Sequence, residues 1–100
     1  SASGEGPPID TIVLLPGLDG TGELFAPFVQ ALRGQPSVQI VRYPLDHRLG
    51  YQELEAIVRS QLPAGGRFAL LGESFSGPIA ISVAASPPPN LVACVLCCSF

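Results

Sequence analysis

The 100-residue sequence predicts an α/β fold of three layers, in which helices cover both faces of a mostly parallel sheet. Apolar runs suited to strands alternate with amphipathic segments suited to helices, in the order β-α-β-α-β-α-β. Charged residues make up 13% of the chain, about half of the roughly 25% in an average soluble domain. Hydrophobic residues make up 47%, which is typical of strands that are buried on both faces. One domain is expected, over residues 9–100.

The first predicted strand is the β-branched run from Ile9 to Leu15, which ends at Pro16 and Gly17. A helix is predicted over residues 23–33, because apolar side chains recur there at helical spacing. Residues 1–8 are interpreted as a flexible lead-in and are left out of the predicted fold.

The same alternation of strand and helix signals continues through the rest of the sequence. Strands separated by about 25 to 30 residues, with helices between them, imply right-handed crossovers and a parallel sheet. The remaining predicted elements are a strand at Val38–Val41, a helix with Tyr51, Leu54, Val58 and Leu62 on its apolar face, a strand at Phe68–Leu71, a helix at Pro78–Ala85 and a strand at Leu91–Cys98.

The segment most indicative of chemistry is Gly72-Glu-Ser-Phe-Ser-Gly77, between the third predicted strand and the helix after it. A nucleophile elbow needs small residues around its serine, because the sharp, strained turn lifts the hydroxyl above the sheet. Ser76 replaces the second glycine of the Gly-x-Ser-x-Gly pattern, which adds a hydroxymethyl group and weakens the match. The alternative interpretation is a helix N-cap, since serine is a favoured cap and Pro78 suits a first turn.

A glycine-rich loop, Pro16-Gly-Leu-Asp-Gly-Thr-Gly22, directly follows the first predicted strand. An acyl-transfer site needs a second oxyanion donor from a loop in this position. Nucleotide binding fits the loop less well, because the spacing is Gly-x-x-Gly-x-Gly and the Lys-Ser/Thr pair of a phosphate-binding loop is absent.

Together, this loop and the Ser74 segment resemble the N-terminal half of the α/β-hydrolase family, over Ile9 to Phe100. The tripeptide Pro16-Gly17-Leu18 stands where that family often has His-Gly followed by an oxyanion residue. The resemblance implies that Ser74 is the nucleophile and that the N–H groups of Leu18 and Phe75 form the oxyanion hole. The residues implied to support the loop and the turn are Gly17, Gly72, Ser76 and Gly77.

The function implied by this resemblance is that of a serine hydrolase, of the esterase or thioesterase kind, which cleaves a small acyl ester or thioester. No organic cofactor is required for that reaction. The family places an acidic residue and then a histidine after the serine, and neither residue type follows Ser74 here. The only histidine, His47, precedes Ser74, as do Asp10, Asp19 and Asp46. We therefore expect a segment truncated after the strand that follows the nucleophile helix, and inactive by itself.

The cysteines predict neither a metal site nor a disulfide framework. All three lie close together, at Cys94, Cys97 and Cys98. Cys94 and Cys97 are three apart and would point to opposite faces of a strand, so they cannot share a metal ion. Cys94 and Cys98 would share a face and are expected to pack in the core. An odd number of clustered cysteines favours a reducing compartment, which indicates a cytoplasmic location.

Composition also bears on the partners. Only five Lys and Arg residues and a net charge of −3 argue against nucleic acid. The longest apolar stretch, Leu91 to Cys98, is far shorter than the roughly 20 residues of a membrane-spanning helix. As a competing hypothesis, the chain is a non-catalytic half-domain. It would act by self-association, or by pairing with another chain, through the apolar edge strand at its C-terminal end.

Overall fold

The computed structural model describes residues 9–17, 36–44 and 49–97. The helix predicted over residues 23–33 lies outside these ranges, as do Leu18, Asp19, Asp46, His47 and Cys98. The strands are β1 (Thr11–Leu15), β2 (Ser37–Ile40), β3 (Phe68–Glu73) and β4 (Leu91–Cys97). The helices are α1 (Tyr51–Ser60) and α2 (Gly77–Ala85), and a single 3₁₀ turn at Ser74–Ser76 precedes α2.

The four strands form one sheet in the order β2-β1-β3-β4, and every neighbouring pair is parallel. This confirms the predicted α/β class and the parallel sheet. Because parallel strands end at the same edge, the residues that follow β1, β2 and β3 meet there. These are Pro16 after β1, Val41 after β2 and Ser74 after β3.

Helices α1 and α2 pack against each other on one face of the sheet. Helix α1 forms because its apolar side chains recur at helical spacing, with Val58 fully buried. The Glu53 carboxylate caps its first turn by accepting a 2.9 Å hydrogen bond from the Gly50 N–H. The Arg59 and Glu55 side chains form an ion pair at 2.9 Å on the helix surface. Together these features explain why this segment is helical and which face it buries.

The core between the sheet and the helices contains side chains of 1% exposure or less. Alternation along β1 directs Val13 and Leu15 toward the helices and Leu14 toward the opposite face. Leu14 is also fully buried, so both faces of the sheet contain buried side chains. The helix-facing core consists of Val13, Leu15, Val41, Val58, Phe68, Leu70, Ile79, Ala80 and Val83.

The structure differs from the sequence-based expectation at several element boundaries and at one core residue. Strand β1 begins at Thr11 rather than at Ile9, and β2 spans Ser37–Ile40 rather than Val38–Val41. Strand β3 continues two residues beyond the predicted Leu71, to Glu73, and the 3₁₀ turn after it was not predicted. The prediction that Cys94 packs in the core is wrong, because Cys94 is exposed. The reason is that β4 pairs with β3 alone among the described strands, and the side chains at positions 92–96 are exposed.

Candidate functional site

The backbone at Ser74 is strained. Ser74 has a φ of +56° and is the one residue other than glycine with a positive φ in the described ranges. That region of φ costs an L-residue roughly 1 to 2 kcal/mol, because Cβ approaches the next carbonyl oxygen. The residue stands where β3 ends and the 3₁₀ turn begins. The chain therefore changes from strand to helical conformation at Ser74, and the segment between Gly72 and Gly77 forms a sharp turn.

Small residues on both sides of Ser74 allow the turn to be this tight. A Cβ atom on Gly72 would lie 2.9 Å from the Ala80 Cβ and 3.1 Å from the Ser76 carbonyl oxygen. Both distances are shorter than ordinary side-chain contacts, so β3 and α2 approach each other more closely than any other residue at position 72 would permit. Gly77, also predicted as a supporting residue, is buried at the start of α2.

The loop that leaves β1 contacts this turn directly. The Gly17 N–H donates a 2.8 Å hydrogen bond to Oε1 of Glu73, whose side chain is only 4% exposed. A Cβ on Gly17 would lie 3.0 Å from the Glu73 carboxylate carbon and 3.2 Å from the Ser74 Cβ. The predicted proximity of the glycine-rich loop to Ser74 is therefore present at Gly17. The next residue, Leu18, lies outside the described part of the chain.

Ser76, the residue that replaces the motif's second glycine, is fully buried. Its hydroxyl donates a 2.5 Å hydrogen bond to the Pro16 carbonyl oxygen. The Tyr43 hydroxyl lies 2.7 Å from the same Ser76 oxygen. The sequence predicted only that the turn tolerates this hydroxymethyl group. In the structure the group connects the segments after β1, β2 and β3.

Tyr43 packs against the turn as well as bonding to it. Its ring centroid lies 5.7 Å from that of Phe75, and the two planes are tilted by 51°. Burial raises the pKa of the Tyr43 hydroxyl above its ordinary value. The hydroxyl therefore keeps its proton at neutral pH.

A surface cleft of about 440 Å³ opens beside Ser74 and Phe75. Its wall includes Ile81 of α2 and Leu96 of β4, which are 54% and 44% exposed. None of the described residues that line the cleft is charged. Its remaining described lining is Tyr51, Gly77 and Pro78. The arrangement places Ser74, a half-buried residue, at the edge of an apolar depression.

Sequence reasoning did not identify Glu73, Ile81 or Leu96 as parts of this site. Glu73 occupies a variable position of the motif, and no local signal shows that its carboxylate turns toward a loop 56 residues away. Ile81 and Leu96 have the pattern of core residues. Only the topology shows that they border the cleft.

The described residues include no histidine. Among their acidic residues only Glu73 is adjacent to Ser74, and its carboxylate accepts a hydrogen bond from the Gly17 N–H. Asp10 precedes β1 and accepts a hydrogen bond from the Arg67 N–H at 2.9 Å. It therefore lies at the opposite end of the strands from Ser74. No cluster of three metal-ligating side chains occurs in residues 9–17, 36–44 and 49–97. No described helix is both long and apolar enough to cross a membrane.

A scan against protein-family models, a search of curated proteins and a search of solved structures each found no match for this chain. The geometry around Ser74 is therefore the basis for assigning a function.

Proposed function

We propose that this chain contributes the nucleophile of a serine hydrolase of the α/β-hydrolase type, and that Ser74 is that nucleophile. The observation that carries the proposal is the positive φ of Ser74 at the turn from β3 to α2. A serine on a strained strand-to-helix turn is the defining geometry of a nucleophile elbow. The N-cap alternative does not account for this strain, because the residue at the N-cap position of α2 is Ser76, which makes no side-chain capping hydrogen bond, and capping requires no positive φ at Ser74.

In the proposed reaction the Ser74 oxygen attacks the acyl carbon of an ester or thioester. The N–H groups of Phe75 and Leu18 donate hydrogen bonds to the oxyanion of the tetrahedral intermediate. A base outside the described residues takes the hydroxyl proton and gives it to the leaving alcohol or thiol. Water then attacks the acyl-serine ester, which releases the carboxylic acid and restores the Ser74 hydroxyl.

The size and the uncharged lining of the cleft favour binding of a neutral, apolar substrate group. Its volume of about 440 Å³ falls within the roughly 300 to 1,000 Å³ of small-molecule sites. A carboxylate or ammonium group in this cleft would lose hydration without meeting an opposite charge from the described lining. A short acyl chain would instead cover Ile81 and Leu96. The proposed substrate is therefore a small neutral ester or thioester.

Hydrolysis assays on the full-length polypeptide test this function. We expect p-nitrophenyl butyrate to be cleaved and p-nitrophenyl hemisuccinate, which carries a carboxylate, to be a poor substrate. Ser74→Ala should lower kcat by at least about 10³-fold. Activity retained by Ser74→Ala would remove Ser74 from the proposed role.

A matched pair of variants on β4 tests the substrate class. Leu96→Lys places a charge in the cleft and should raise KM for the butyrate ester by about tenfold. Val92→Lys is the control, because Val92 is equally exposed on the same strand, at 43%, but does not line the cleft. An equal effect of both substitutions would contradict the assignment of the cleft.

Assembly through β4 is a second candidate function, and the exposure of that strand favours it. Val92, Val95 and Leu96 are 43%, 50% and 44% exposed. Exposed apolar side chains on a strand with one described partner provide a surface for pairing with another chain. This candidate does not explain the strain at Ser74 and is therefore placed second.

A further inference from the structure

One peptide unit, the one that joins Pro16 to Gly17, is held by hydrogen bonds at both ends. Its carbonyl oxygen accepts a 2.5 Å hydrogen bond from the Ser76 hydroxyl. Its N–H donates to the Glu73 carboxylate at 2.8 Å. Both bonds are buried, and they come from the residues one before and two after Ser74. We call this pair of bonds the Pro16–Gly17 clamp.

The hydrogen bond between Tyr43 and Ser76 adjoins the clamp, and its direction follows from the number of hydroxyl protons. A serine hydroxyl has one proton, and Ser76 uses it in the hydrogen bond that it donates to the Pro16 carbonyl oxygen. The Tyr43 hydroxyl, 2.7 Å from the Ser76 oxygen, must therefore donate to Ser76. Two consecutive hydrogen bonds therefore connect the Tyr43 hydroxyl to the Ser76 hydroxyl and the Ser76 hydroxyl to the Pro16 carbonyl oxygen. Because a bonded hydroxyl polarises the next one, Tyr43 strengthens the bond that Ser76 makes.

The clamp restricts the orientation of one peptide plane. The peptide group is planar and its Pro16 end follows directly from β1, so holding its oxygen and its nitrogen as well leaves it little freedom to rotate. Gly17 is therefore held close to Ser74, at a position where even a Cβ would lie 3.2 Å from the Ser74 Cβ. The next N–H along the chain is that of Leu18, the proposed second oxyanion donor.

We propose that Glu73 and Ser76 are positioning residues of the Ser74 site, and that they hold Pro16 and Gly17 against the turn that carries Ser74. The inference rests on the proposed function. On this account Ser76 is not a tolerated substitute for glycine, and Glu73 acts as a hydrogen-bond acceptor rather than as a charge. A buried acceptor without a donor is costly, and the Gly17 N–H is the donor that Glu73 has in the structure.

The sharpest test replaces Ser76 with glycine, which restores the common form of the motif. We expect Ser76→Gly and Ser76→Ala to lower kcat by about ten- to a hundredfold, because small displacements of catalytic groups have effects of that size. KM should change little. Wild-type or higher kcat in Ser76→Gly would overturn the proposal.

Two Glu73 variants distinguish the role of this side chain as a hydrogen-bond acceptor from a role of its negative charge. Glu73→Gln keeps an acceptor oxygen and should retain kcat within about threefold, whereas Glu73→Ala should lose about ten- to a hundredfold. Equal losses in both would show that the charge matters and would overturn the positioning role. Glu53 provides the matched control, because its carboxylate accepts a glycine N–H at 2.9 Å but is exposed and belongs to α1. Glu53→Gln and Glu53→Ala should leave kcat unchanged.

Hydrogen exchange at the Gly17 amide gives a readout that does not depend on hydrolysis. Exchange should be slow in the wild type and faster in Glu73→Ala and Ser76→Ala, with Ser82→Ala as the control on α2. Loss of activity in Ser74→Ala with unchanged kcat in all Glu73 and Ser76 variants would overturn the clamp alone. Retained activity in Ser74→Ala would instead overturn the proposed function. If Glu73→Ala does not fold, Glu73→Gln and Ser76→Gly still decide the outcome.

Discussion

Ser74, the proposed nucleophile, has an unfavourable backbone conformation. A φ of +56° is one that glycine adopts at no steric cost and serine does not. Strain of this kind persists where the surrounding structure determines the conformation, and it is concentrated at functional sites. The strain itself can be measured, independently of any assay of activity.

We predict that Ser74→Gly is more stable than Ser74→Ala by about 1 kcal/mol, because glycine relieves the strain and alanine does not. Chemical denaturation of both variants measures the difference. At Ser82, in the middle of α2, the order should reverse, and the glycine variant should be about 1 kcal/mol less stable than the alanine variant. A glycine penalty at both positions would contradict the strained conformation.

Gly72 is the residue at which β3 and α2 come into close contact. We expect Gly72→Ala to lower the free energy of unfolding by about 1 to 3 kcal/mol, since its Cβ would crowd α2. Gly65→Ala is the control, because a Cβ there has no neighbour within 4 Å. That variant should be unchanged or up to about 1 kcal/mol more stable. Equal denaturation midpoints for the two variants would show that β3 and α2 are not in close contact.

Among the secondary-structure elements, helices α1 and α2 are connected by a hydrogen bond from the Ser82 hydroxyl of α2 to the Glu55 carboxylate of α1. The hydrogen bond from Ser82, and then the one from Arg59, lower the pKa of Glu55 below its ordinary value of 4.5. Because the folded-state pKa is the lower one, this contribution to stability is complete above the unfolded-state pKa. It is lost as the pH falls from that value through the folded-state pKa.

We therefore predict that Ser82→Ala raises the pKa of Glu55 and reduces the acid-induced loss of stability that this group causes. An NMR titration of the Glu55 side-chain carboxyl measures the pKa. Ser60→Ala is the control, because the Ser60 hydroxyl donates to the Ile57 carbonyl and not to a carboxylate. An unchanged Glu55 titration in Ser82→Ala would show that the two helices are not bonded through this pair.

The elements that the sequence predicted well are those with a local signal. The spacing of Leu54 and Val58 was enough for α1, and the apolar run from Phe68 was enough for most of β3. The end of β3 was missed because Gly72 and Glu73 have weak strand propensity. They are held in the strand by pairing with β1 and β4, which is a tertiary effect.

At the scale of the whole molecule, the site depends on contacts between distant parts of the sequence. The motif around Ser74 was visible as a pattern of small residues. Its connections to Tyr43, 33 residues away, and to Pro16, 60 residues away, were not. They exist because β1 lies between β2 and β3 in the sheet, so that the three segments after these strands meet at one edge. A single sequence does not specify that order.

The exposed strand β4 leads to a prediction about assembly. If assembly through β4 occurs, Val95→Lys should weaken self-association measured by sedimentation, because a lysine on an edge strand opposes pairing. Ile9→Lys serves as the control, since Ile9 is 37% exposed and lies outside β4. A monomer at all concentrations, with a cooperative thermal transition, would count against the assembly candidate.

Labelling with a fluorophosphonate tests whether Ser74 is a reactive nucleophile, as we propose. The full-length polypeptide is treated with the probe, digested and analysed by mass spectrometry. We predict one adduct, on the peptide that contains Ser74, absent from Ser74→Ala and unaffected in the Ser82→Ala control. No adduct on wild-type protein, or an adduct that persists in Ser74→Ala, would contradict the account.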